Sequence, residues 1–121
     1  SSAWFERGFV TYSNEAKSQM IGVREVTLLQ HGAVSEPVVV EMAIGALRAA
    51  RADYAVSVSG IAGPDGGSAE KPVGTVWFGV ASANGQGVTQ CECFSGDRES
   101  VRRQATAYAL NLLWQQFLQN T

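Results

Sequence analysis

The stretch Val73-Gly74-Thr75-Val76-Trp77-Phe78-Gly79-Val80-Ala81-Ser82-Ala83-Asn84-Gly85-Gln86-Gly87-Val88-Thr89-Gln90-Cys91-Glu92-Cys93-Phe94 decides the fold. Two apolar, β-branched and aromatic runs, Val73–Ser82 and Gly87–Phe94, flank Ala83–Gln86, whose Asn-Gly pair is a strong hairpin signal. Upstream, Tyr54–Ser59 alternates small and branched residues and predicts another strand. Further out the periodicity changes to helical. From Glu36 to Arg51, Val39, Met42, Ala43, Ala46 and Leu47 form a stripe suited to covering a sheet, and Pro37 is tolerated in its first turn. A shorter helix around Val26, Leu28 and Leu29 stops at Gly32. Asp97 caps a long terminal helix, with Val101, Ala105, Tyr108, Leu112, and then Trp114 and Phe117, at helical spacing. Near the start, Gly8–Tyr12 reads as a strand and Ser13 as the cap of a helix over Asn14–Met20, with Gly22 as its stop. The expected fold class is therefore α/β: a layered sandwich whose mixed sheet contains a C-terminal hairpin and is covered by helices.

The 121 residues suit one domain, and the 45% apolar and 17% charged content is globular. A net charge of −2 leaves no electrostatic footprint for nucleic acid, and no apolar run approaches the roughly 20 residues of a membrane span. These features predict a cytoplasmic protein. Cys91 and Cys93 share one strand face and are expected to be buried free thiols; two sulfurs and one histidine argue against zinc. The opening Ser1–Phe5, with Trp4 and Phe5, reads as the interior of a longer chain.

Chemistry has three candidate places. Ser59-Gly60-Ile61-Ala62-Gly63-Pro64-Asp65-Gly66-Gly67 follows a strand, where α/β proteins commonly bind ligands, and its glycines allow close approach of backbone N–H groups to an anion. The same loop is compatible with a plain surface turn. Lys17, five residues after Tyr12, would serve as a general base if burial depressed its pKa, and is otherwise a solvated lysine. Arg98, with Arg102 and Arg103 nearby, opens the last helix and offers either a phosphate contact or a solvated charged face. His31, the sole histidine, ends a helix and makes a Ser-His-Asp triad a poor fit.

The blocks Thr11–Lys17, Gly32–Val38, Ser59–Gly67, Lys71–Val76 and Phe94–Arg98, taken in order, resemble the CinA C-terminal domain family, and most closely its stand-alone nicotinamide-nucleotide amidases. The resemblance implies hydrolysis of the carboxamide of nicotinamide mononucleotide to nicotinate mononucleotide and ammonia, with no metal and no cofactor. It places Tyr12 and Lys17 as catalytic partners of a serine nucleophile. It places Ser59, Gly60, Ile61, Ala62 and Gly63 against the nucleotide and Arg98 at its phosphate. The family's serine belongs to an Ala-Glu-Ser-Cys-Thr-Gly-Gly segment upstream of the stretch that matches Ser1. The expectation is thus a single domain, residues 1–121, lacking an N-terminal segment of about 45 residues and part of its core, and inactive alone. The alternative is a non-catalytic nucleotide-binding or competence-related module of the same family. Trp114, Phe117 and Leu118 on the terminal helix suggest a homo-oligomer and equally suit a core.

Overall fold

A computed structural model describes residues 22–61, 63–64 and 66–118, with backbone only for 117 and 118. The strand expected over Gly8–Tyr12, the helix over Asn14–Met20, and the side chains of Phe117 and Leu118 lie outside the described residues.

In chain order the elements are α1 (Glu25–His31), α2 (Glu36–Ala50), β1 (Tyr54–Gly60), β2 (Thr75–Ser82), β3 (Gly87–Cys93) and α3 (Arg98–Leu113), followed by a π-helical turn, Trp114–Leu118. The described strands form one sheet in the order β1-β2-β3. Both pairings are antiparallel, with Ser57 opposite Gly79 and Trp77 opposite Cys91. The hairpin is therefore present, and among the described residues the ladder is antiparallel throughout.

The central strand explains the layering. Alternate side chains of a strand point to opposite faces, and both faces of β2 are covered. On one face Val76, Phe78 and Val80 pack against Val101, Ala105, Ala109, Leu112 and Leu113 of α3. Phe78 is fully buried and lies 4.6 Å, ring to ring, from Tyr108. Burial, and then the bond from the Tyr108 hydroxyl to Glu92, hold that phenol above its ordinary pKa. On the other face α2 comes so close that a Cβ on Gly79 would stand 2.6 Å from the Val39 carbonyl oxygen. Ser57, beside Gly79, donates its hydroxyl to that same carbonyl at 2.6 Å. Small residues at these two positions let the helix backbone rest directly on the sheet.

A seven-residue helix is marginal by itself, so α1 depends on its neighbours. Val23 and Leu28 pack with Val38, Val39 and Met42. The Glu41 carboxylate accepts from the Arg24 amide at 2.7 Å, the Arg24 guanidinium and the Thr27 hydroxyl. Burial opposes the charge on Glu41, but these donors and the adjacent Arg24 charge prevail and hold its pKa below the usual carboxylate value. The chain leaves α1 through Gly32 at φ 77° and leaves α2 through Arg51 in the left-handed region. Asp97 caps α3 as its sequence suggests, accepting from the Ser100 amide at 2.8 Å.

One expectation needs correction, and Trp114, which suited either a core or a surface, takes the surface. Cys91 and Cys93 are exposed. They lie on the outer strand β3, on the Trp77 face, and among the described residues α2 engages that face of β3 through the contact of Glu36 with Thr89. Burial still raises the Cys91 thiol pKa, followed by the charges of Glu92 and Cys93. Trp114 is 52% exposed, because the buried stripe of α3 runs through Ala105, Ala109, Leu112 and Leu113 and leaves position 114 off its phase.

Candidate functional site

The glycine loop joins β1 to β2 and lies at the C-terminal end of β1, as the sequence implied. Its two arms extend the ladder beyond the regular strands. The Ile61 amide donates to Thr75 O at 2.9 Å, and the Gly74 amide donates to Ile61 O at 2.6 Å. Gly74 is at φ 98°, and any side chain there would collide with the Phe94 carbonyl, so glycine is required. The return arm closes on itself: Ser68 N donates to Lys71 O at 2.8 Å, and the Lys71 amide donates to Ser68 Oγ at 3.0 Å.

Three side chains tie this loop to the rest of the molecule. Ser59 donates its hydroxyl to Ala33 O at 2.7 Å, joining the end of β1 to the corner between α1 and α2. Lys71 Nζ donates to His31 O at 3.0 Å, where a cation satisfies a carbonyl at the negative end of a helix. Arg98 Nη1, from the first turn of α3, donates to Gly63 O at 3.0 Å. The Gly63–Pro64 peptide is cis.

The structure therefore gathers Ser59, Gly60, Ile61, Gly63 and Arg98 at one end of the sheet. Gly63 is buried, Ser59 and Ile61 are half-buried, and Gly60, Gly66, Gly67 and Arg98 are exposed. Chemically this is an edge of backbone amides and hydroxyl lone pairs flanked by two cations, suited to a polar or anionic ligand. The Ser59 proton is committed to Ala33, which leaves its oxygen as an acceptor toward a ligand. Tyr12, Lys17 and Ala62 lie outside the described residues. Lys71 is the loop residue that sequence reasoning left without a role, and its partner, the His31 carbonyl 40 residues away, carries no signature in the sequence. His31 contributes its carbonyl, and its side chain is exposed.

Among the described residues, no three His, Cys, Asp or Glu come together as a metal-ligand set, and no helix is long and apolar enough to cross a membrane. A cavity of about 670 Å³ lies at the other end of β2, between α2 and the hairpin, and is lined by Val40, Ala43, Ile44, Leu47 and Arg48 with Ala81 and Thr89. Aliphatic side chains dominate this lining, whereas the glycine loop gathers main-chain groups, a serine hydroxyl and two cations, so the chemistry of a polar substrate points to the loop.

The CinA C-terminal domain model matches residues 1–117. The chain is 85% identical over 121 residues to nicotinamide-nucleotide amidohydrolase PncC of Escherichia coli strain K12, covering 100% of this chain and 73% of that protein. It is 65% identical over 120 residues to the protein of the same name from Enterobacter agglomerans, covering 99% of this chain and 73% of that protein. The crystal structure of competence/damage inducible protein CihA from Agrobacterium tumefaciens superposes with a TM-score of 0.86 at 46% identity, covering 88% of this chain and 66% of that one. The chain belongs to the CinA C-terminal domain family.

Proposed function

We propose that the protein hydrolyses the carboxamide of nicotinamide mononucleotide to nicotinate mononucleotide and ammonia. The observation that carries this reading is 85% identity, across all 121 residues, to a nicotinamide-nucleotide amidohydrolase. The polar loop end of the sheet supports it, because an amide substrate carrying a phosphate needs backbone donors and cations rather than an apolar hollow.

In this reading residues 1–121 form one domain, and the nucleophilic serine comes from the segment that the family pattern carries ahead of it. Lys17 takes the serine proton as the hydroxyl oxygen attacks the carboxamide carbon, and Tyr12 orients the pair. The tetrahedral oxyanion is held by backbone N–H groups of the glycine loop other than that of Ile61, which is bonded to Thr75 O. Collapse expels ammonia, which leaves with the proton returned by Lys17, and water then releases nicotinate mononucleotide from the acyl-serine by the same sequence. Ser59 and Ile61 line the nucleotide beside these amides.

The test is ammonia release from nicotinamide mononucleotide by the full-length protein. Lys17→Ala is expected to lower kcat by about 10²- to 10⁴-fold, the usual worth of a general base. Wild-type turnover in that variant would remove Lys17 from this role, and no turnover in the parent would remove the reading itself.

We also place the protein in the cytoplasm and as a homo-oligomer. Leu110 and Trp114, four residues apart along the C-terminal helix and its π-helical extension, are 51% and 52% exposed and support self-association. Sedimentation of the full-length protein reads this directly, and a monomer across the micromolar range would contradict it.

A further inference from the structure

We infer that Arg98 is a positioning residue, which fixes the glycine loop by holding the Gly63 carbonyl. This role differs from a direct grip on the substrate phosphate. Three observations carry the inference. First, Arg98 occupies the first position of α3, where a cation opposes the helix dipole, so its charge gives the helix nothing. Its bond to Gly63 O supplies the compensating interaction. Second, the base of the side chain is rigid, since Asp97 just before it is fixed by the Ser100 amide. Third, the target is constrained from the other side. Gly63 is buried at φ 89°, and a Cβ there would stand 2.6 Å from Val73 Cγ1. The Gly63 peptide is thus pressed between Val73 and the guanidinium, and removing Arg98 leaves its carbonyl short of a partner. Lys71 anchors the return arm to His31 O, so the loop is held by one cation on each arm. An arginine fits the outgoing arm because one N–H of its planar fork serves Gly63 while the exposed remainder stays hydrated.

The kinetic part of this inference rests on the amidase reading; the structural part does not. The experiment compares wild type, Arg98→Ala and Arg98→Lys in the full-length, ligand-free protein by amide hydrogen exchange. The probes are Ile61, Ser68 and Gly74, whose amides are bonded within the loop, and Ala105 and Ala109 in α3 are the controls for global opening. Arg98→Ala is expected to speed exchange at the loop probes about ten-fold relative to the controls, the effect of one lost charge-assisted hydrogen bond. Arg98→Lys, which can still donate to the carbonyl, should recover part of that protection. Unchanged loop exchange in Arg98→Ala overturns the inference. If Arg98→Ala does not fold, Arg98→Met, which keeps the bulk of the stem and has no N–H donor, carries the same comparison. In turnover, a positioning role predicts that kcat/KM falls by the same factor on nicotinamide mononucleotide and on the unphosphorylated riboside. A loss confined to the phosphorylated substrate overturns the inference and assigns Arg98 to the phosphate. Absence of ammonia release in wild type refutes the amidase reading, while the exchange comparison still decides the role of Arg98.

Discussion

The two ends of β2 are built by different means. At the Thr75 end the chain is held by directed bonds: Ile61 and Gly74 to the ladder, Ser59 to Ala33, Lys71 to His31 and Arg98 to Gly63. At the Ser82 end the bonds tie the turn to itself and to the start of β1, Ser82 N to Gln86 O, Gln86 N to Asn84 Oδ1 and Ala83 N to Asp53 O, and beside it lies a hollow under α2 bounded by Val40, Ile44, Leu47 and Arg48. Apolar packing is non-directional and tolerates rearrangement, whereas hydrogen bonds fix the positions of particular atoms. In the proposed reading, the end that holds the reacting amide is the one that side-chain bonds tie to other elements: Ser59 to the corner between α1 and α2, Lys71 to the end of α1, and Arg98 from α3. The hollow is lined mainly by aliphatic side chains, and volume alone does not make a catalytic site.

The strand that links the two ends should be the most sensitive place in the molecule. Phe78→Ala removes a fully buried ring from its centre and is expected to cost about 3–5 kcal/mol in urea or thermal unfolding, damaging both ends together. A cost below about 1 kcal/mol would mean that the α3 face of the sheet is not a packed core. Next comes Gly79→Ala, whose new methyl meets the Val39 carbonyl and the Ser57 hydroxyl. Overpacking of this kind costs about 1–3 kcal/mol, read as a lower Tm, and an unchanged Tm would show that α2 can move off the sheet.

Glu41→Gln is a smaller change, expected to cost about 1–2 kcal/mol at neutral pH through the weakened bonds to Arg24 and Thr27. Its pH dependence has a definite sign. The folded-state pKa of Glu41 is lowered, so its contribution is fully present above the ordinary carboxylate pKa and disappears as pH falls through the folded value. The gap in unfolding midpoint between wild type and Glu41→Gln should therefore close on acidification; a gap independent of pH would contradict the assignment. Smallest of all, Ile44→Ser at the lip of the apolar hollow should alter stability by no more than about 1 kcal/mol and leave turnover unchanged. A marked loss of turnover would move the functional site toward the hairpin.

Much of the fold was legible because its signals are local. The Asn84-Gly85 turn, the Gly32 stop and the Asp97 cap each depend on a few neighbouring residues, and each appears where the pattern puts it. Cys91 and Cys93 show the limit. Period-2 spacing established that they share a face, but their exposure depends on how far α2 extends across an outer strand, which no local pattern encodes. Trp114 shows the same limit at the end of α3, where a small phase drift separates an exposed position from a buried one. In the site, glycine density marked the loop. Its anchoring through Lys71 and Arg98 was not legible, since both bonds end on main-chain carbonyls, 40 and 35 residues away, that carry no signature in the sequence.

The most direct test of the account is amide hydrogen exchange on the full-length protein with and without nicotinamide mononucleotide. The account predicts that the nucleotide slows exchange at Ile61, Ser68 and Gly74 and leaves Gln86 and Val88 at the hairpin end unchanged. Protection at Gln86 and Val88, with none in the glycine loop, would contradict it.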